Sequence, residues 1–268
     1  MQGPDIEGTG AGEVLDGTGD REVINGNGGD DTIDGGLGGD TIDGGSGNDD
    51  INGGSNNDDI TGGVGNDTLK GGFGSDDIEG GNGADLIKGG RGDDNLEGGN
   101  GLDTIKGGHG DDFIDGGQGA DVLNGGLDND TILGGTGGDT IDGGLGDDVM
   151  SGQEGNDVVN GGAGFDTYIF EGNFADFLVT FSSGKFTFND QVGDEGVDTI
   201  KNVEEFLFAD GVATVDGGTL IFVADAVEME ELELVIEELP MFEEELGSDG
   251  GFVFGPVSGG QFDLIDIA

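Results

Sequence analysis

Sixteen aspartates spaced nine residues apart carry the most visible chemistry of this chain: Asp31, Asp40, Asp49, Asp58, Asp67, Asp76, Asp85, Asp94, Asp103, Asp112, Asp121, Asp130, Asp139, Asp148, Asp157 and Asp166. Each stands two residues before an apolar or aromatic one, from Ile33, Ile42 and Ile51 to Met150, Val159 and Tyr168. In an extended segment, residues two apart point to the same side. An inward apolar residue therefore brings its aspartate inward, and a carboxylate withdrawn from water needs a compensating cation. Glycines precede every aspartate, and a tight glycine turn exposes backbone carbonyls. Carboxylate and carbonyl oxygens form a hard donor set, which suits calcium best.

The element that must position these groups is a nine-residue unit, Gly-Gly-x-Gly-x-Asp-x-U-x, with U apolar; residues 44–52 read Gly-Gly-Ser-Gly-Asn-Asp-Asp-Ile-Asn. Eighteen copies run over residues 8–169 without insertion or deletion. The first two are degenerate, with Glu13 and Glu22 at position 6, and Ala11 and Asp20 in place of the position-4 glycine. They read as the atypical terminal cap that repeat arrays need, with weak metal sites at the two glutamates as the functional alternative. Residues 71–88 and 89–106 look like duplicates of a double unit, which points to a coil of two copies.

This unit resembles the RTX, or hemolysin-type, calcium-binding repeat. The resemblance implies a right-handed parallel β-roll with calcium between the turns of successive coils on each side. An internal ion then bridges aspartates two copies apart, such as Asp49 with Asp67 or Asp58 with Asp76. Sixteen aspartates in two columns imply roughly fourteen to sixteen ions on that pattern. The expected fold is all-β: this roll, a small β-rich C-terminal cap and a short acidic helical tail.

Composition makes that order conditional. Hydrophobic residues are 32% of the chain and the formal net charge is −53, a combination that reads as disorder. One inward apolar side chain per copy does not offset the cost of ordering nine residues, and the aspartates repel one another. The repeats are therefore expected not to fold without metal. Only seven residues are Lys or Arg, so a basic footprint for nucleic acid or anionic lipid is missing. No cysteine is present to make a disulfide or a thiolate metal site. The N-terminus lacks the charged start and apolar run of a secretory signal, and no stretch approaches the length of a transmembrane helix.

In chain order, residues 1–7 form a lead, 8–169 the array, 170–223 a capping region and 224–268 an acidic helix and tail. Asn56 and Asp128 stand at position 4, where Asn and Asp tolerate left-handed backbone. The turn at Gly152, Gln153 and Glu154 also departs from the pattern. His109, the single histidine, falls at position 3 and is expected to face solvent without a catalytic role. Lys70, Lys88 and Lys106 stack on one edge and Glu79, Glu97 and Asp115 on the other, a pattern read as duplication history.

Most phenylalanines follow Tyr168 and read as a conventional core. Residues 177–181 and 186–189 read as a hairpin. Residues 198–210 are similar to a stretch that follows many RTX arrays. Met229, Leu232, Ile236 and Leu239 fall at helical spacing before Pro240, which predicts a helix over 224–239. The end, 262–268, is similar to the uncleaved C-terminal signals by which RTX proteins leave Gram-negative bacteria through type I export.

Three classes of function compete. The first is a secreted, extracellular calcium-binding structural module, unfolded where calcium is scarce and folded outside the cell. The second is an enzyme, yet the chain has no His-Glu-x-x-His motif and no Gly-x-Ser-x-Gly elbow. An RTX enzyme or toxin usually carries its catalytic domain before the array, which here begins at Gly8. This chain is thus expected to be non-enzymatic, or the secretion and folding module of a larger protein. The third is an adhesive, surface-layer-associated or ice-binding roll. Position 3 runs Leu37, Ser46, Ser55, Val64 and Phe73, which is no threonine ladder for ice.

Overall fold

A nine-residue unit is too short to hold a strand alone, so each strand borrows from its neighbour. In the computed structural model, which describes residues 2–216, 219–224, 251–257 and 261–267, strands such as Asp50–Ser55 and Asp59–Val64 run from position 7 of one copy to position 3 of the next. Positions 4 to 6 make the turn. The glycines at positions 1 and 2, expected in the turn, thus lie within the strand. Their reason is close approach between coils. A Cβ on Gly44 would fall 2.6 Å from Asp49 Oδ2 and 2.8 Å from the Gly62 carbonyl oxygen. Gly45, at φ +95°, would drive a Cβ into the Asn27 carbonyl of the coil below.

Successive strands alternate between two sheets, and each pairs in parallel with the strand one coil away. Ile60 lies beside Ile78, and Leu96 beside Ile114, without slippage along the array. This is an all-β parallel solenoid of two copies per coil. Positions 6 and 8 face inward together, as the alternation requires. The apolar ladder from Ile24 to Val159 is buried, and so are all sixteen aspartates, at 3% exposure or less. Asn56 and Asp128 both adopt φ 76°, and Gln153 adopts φ 65°, so three departures from the glycine pattern sit at left-handed positions. The first residues join the solenoid too, since Ile6–Glu7 pairs with Val23–Asn25.

At the C-terminal end the pairing changes sense. Val197–Lys201 is parallel to Val158–Ala163 on one side and antiparallel to Lys185–Asp190 on the other. Glu205–Phe208 is likewise parallel to Thr167–Ile169 and antiparallel to Gly211–Asp216, which pairs onward with Thr219–Ala224. The expected hairpin is present and longer than expected, with Ser182 added to the first arm and Lys185 and Asp190 to the second: Phe177–Ser182 pairs with Lys185–Asp190, turned at Ser183 (φ 53°) and Gly184 (φ 76°). Those two positive φ values mark the tight turn that suits the twist of a hairpin. Between the sheets Phe170 meets the rings of Tyr168, Phe177, Phe188 and Phe208 at centroid distances of 4.7, 4.6, 4.7 and 4.9 Å. Gly251–Val257 adds to the hairpin and pairs with Gln261–Ile267. The helix expected over 224–239 lies outside the described residues, except that Ala224 ends a strand.

Candidate metal centre

Each array aspartate uses its two oxygens differently. Oδ1 accepts the backbone N–H of the position-6 residue one coil earlier: Asp31 N to Asp49 Oδ1 at 2.7 Å, Asp76 N to Asp94 Oδ1 at 2.9 Å, Asp148 N to Asp166 Oδ1 at 3.0 Å. Oδ2 is buried and has no hydrogen-bond partner in any of the sixteen. These bonds order the aspartates into two columns. One runs from Asp31 through Asp49 and Asp67 to Asp157; the other runs from Asp40 through Asp58 and Asp76 to Asp166. The structure thus places all sixteen sequence-derived residues in these two columns, each with a buried Oδ2 that has no donor. His109 is exposed on its strand and belongs to neither column.

A buried anionic oxygen without a donor is costly, and the carboxyls show it. Burial pushes Asp58, Asp94 and Asp130 up to about 7 against the opposing backbone N–H donations, and neighbouring column carboxylates push the same way. Asp112, Asp121, Asp139 and Asp166 are raised to about 6, again chiefly by burial. Beside thirteen of the sixteen orphaned oxygens lies the cradle seen at Gly44, where the position-1 carbonyl of the next coil faces the same point. The same pairing recurs at Gly80, with Asp85 Oδ2 2.7 Å and the Gly98 carbonyl oxygen 2.6 Å from a built Cβ. Among the described residues no three His, Cys, Asp or Glu side chains converge on one point. The donor set is therefore carboxylate plus main-chain carbonyl, all oxygen, and it fits calcium.

Both columns continue where no repeat is visible. Asp157 N donates to Asp198 Oδ1 at 3.0 Å across 41 residues, and Asp166 N to Glu204 Oε2 at 3.0 Å across 38. At the other end Glu13 N donates to Asp31 Oδ1 and Glu22 N to Asp40 Oδ1. Asp198 and Glu204 were not among the residues picked out by spacing. A signal did exist, because Asp198-Thr199-Ile200-Lys201 repeats Asp103-Thr104-Ile105-Lys106 letter for letter.

A parallel solenoid lined by columns of orphaned carboxylate oxygens and main-chain carbonyls is a metal-binding β-roll. The family model for the RTX calcium-binding nonapeptide repeat matches residues 7–42, 16–51, 34–69, 70–105, 97–132 and 133–168. The chain belongs to that family, whose repeats bind calcium, several ions to an array. No curated protein matches it. Among the described residues no helix is long and apolar enough to cross a membrane. A repeat-built solenoid of this kind is a calcium-binding structural module.

Proposed function

We propose that this chain is an extracellular module whose folding is switched by calcium, with the sixteen array aspartates as its ligands. The supporting observation is the row of sixteen buried Oδ2 atoms without partners. A cation beside each would complete the oxygen's shell and cancel the repulsion along the column. Because that cradle exists only when the coils stack, binding free energy becomes folding free energy. On this reading the chain stays unfolded in low-calcium cytosol and passes a type I exporter, and millimolar calcium outside folds it. The apolar-acidic end at 262–268 is the candidate export signal. The module is non-enzymatic, its catalytic or adhesive partners, if it has them, lying in other chains or segments.

Circular dichroism during calcium titration of fully chelated protein, with magnesium as control, tests the switch. A cooperative coil-to-β transition with calcium alone is expected. Full β signal in excess chelator would sink it.

A further inference from the structure

The carboxylates at the ends of the two columns differ from those inside them. Every interior Oδ2 lacks a donor, whereas Glu13, Glu22 and Asp198 each accept a hydroxyl. Thr9 gives Glu13 both its Oγ1 hydroxyl, at 2.6 Å, and its backbone N–H, at 2.7 Å. Thr18 does the same for Glu22, with the N–H at 3.2 Å. Threonine at position 2 and glutamate at position 6 occur together in these two copies and nowhere else in the array. The pairing has a steric logic. The extra methylene lets the carboxylate fold back over position 2, where most interior copies offer only glycine.

At the C-terminal end the two columns part. The Tyr168 hydroxyl donates to Asp198 Oδ2 at 3.1 Å and accepts the Gly152 N–H at 2.9 Å. A Cβ on Gly152 would meet this hydroxyl at 2.7 Å, where Gly44 and its equivalents meet the next coil's carbonyl. At Gly161 that place is taken instead by a real carbonyl, that of Asn202, beside the fully buried and donorless Asp166 Oδ2. Glu204 holds the Asp166 backbone there as an interior aspartate would.

We infer that hydroxyls close three of the four column ends, so that Glu13, Glu22 and Asp198 hold no calcium. The fourth end keeps a calcium site shared between the array and the cap, at Asp166 Oδ2 and the Asn202 carbonyl. This rests on the aspartate columns being the calcium ligands. It adds a site that lies half outside the repeats and sets where each column stops.

Counting calcium per chain by native mass spectrometry tests both parts, with the interior variant Asp94→Asn as reference. Asp94→Asn and Asp166→Asn are each expected to lower the count. Glu13→Gln, Glu22→Gln and Asp198→Asn are expected to leave it unchanged. Tyr168→Phe, which frees Asp198 Oδ2 and removes the plug, is expected to raise the count by one. A loss of calcium in Glu22→Gln or Asp198→Asn, or an unchanged count in Tyr168→Phe, overturns the closure. An unchanged count in Asp166→Asn overturns the shared site. If Asp94→Asn itself keeps the full count, the column reading fails first and takes this inference with it.

Discussion

In the array each rung buries one aliphatic side chain and one aspartate; in the cap the same two sheets close over a cluster of phenylalanines. Ile105 and Asp103 are typical of the first interior, and Phe170 and its ring of aromatic neighbours of the second. The hydrogen-bonded ladders are continuous from one to the other. What changes is whether the interior is complete on its own. An aromatic cluster supplies large apolar burial with no charge to neutralise. A column of carboxylates supplies a deficit that only a cation or a proton removes. Removing calcium is therefore the largest perturbation available, and it should divide the molecule. Amide hydrogen exchange in chelator is expected to show loss of protection throughout the array, with the hairpin Phe177–Ser182 and Lys185–Asp190 losing it last. Uniform loss across both regions would mean that the cap has no stability of its own.

The converse perturbation strikes the cap. Phe170→Ala removes the ring that touches both Tyr168 and the cap phenylalanines, and truncation of a buried Phe costs about 3–5 kcal/mol. With calcium present, thermal unfolding should lose stability at the cap while the calcium count of the interior sites holds. A fall in that count would show that the aromatic cluster sets the array's metal affinity, and the two interiors would not be separable.

How far this division is legible in the sequence depends on periodicity. Asp49 and Ile51 could be placed inward from spacing alone, because period-two alternation acts within a single strand. The hairpin was legible from its alternating phenylalanines and the Ser-Gly turn. Asp198 and Glu204 were not, since the column that joins them to Asp157 and Asp166 crosses an inserted hairpin and breaks the nine-residue count. The borrowing of positions 1 to 3 by the strand was also hidden. It follows from the approach of neighbouring coils at Gly44 and Gly45, a tertiary contact that glycine composition alone reads as a turn.

Protons offer a gentler way to complete the array's interior. Burial raises Asp58, Asp94 and Asp130 to about 7, whereas an unfolded aspartate titrates near 3.9. The metal-free folded array thus binds protons that the unfolded chain does not. The stability this supplies is fully present below about pH 4 and is lost as pH rises through about 7. In chelator, the β signal is expected to grow on acidification across that window. Calcium affinity should fall over the same range, because the ligands must first shed their protons. A metal-free chain that stays coil down to about pH 4 would show that charge repulsion is not what keeps the array open.

The smallest effect isolates burial itself, using two aspartates that are neighbours in sequence. Asp49 is 2% exposed, with Oδ2 in the column; Asp50 points outward, 57% exposed, and pairs with Lys70 at 2.8 Å. Asp50→Asn removes an ion pair of a kind worth about 0.2–1 kcal/mol, and salt screens even that. Its thermal midpoint should shift little at low salt and not at all at high salt, with the calcium count intact. Asp49→Asn, one residue away, should lose calcium whatever the salt, because its site is screened by protein rather than by ions. Equal, salt-sensitive losses in both variants would mean that the array binds calcium through its surface charge, and the inward columns would have no special role.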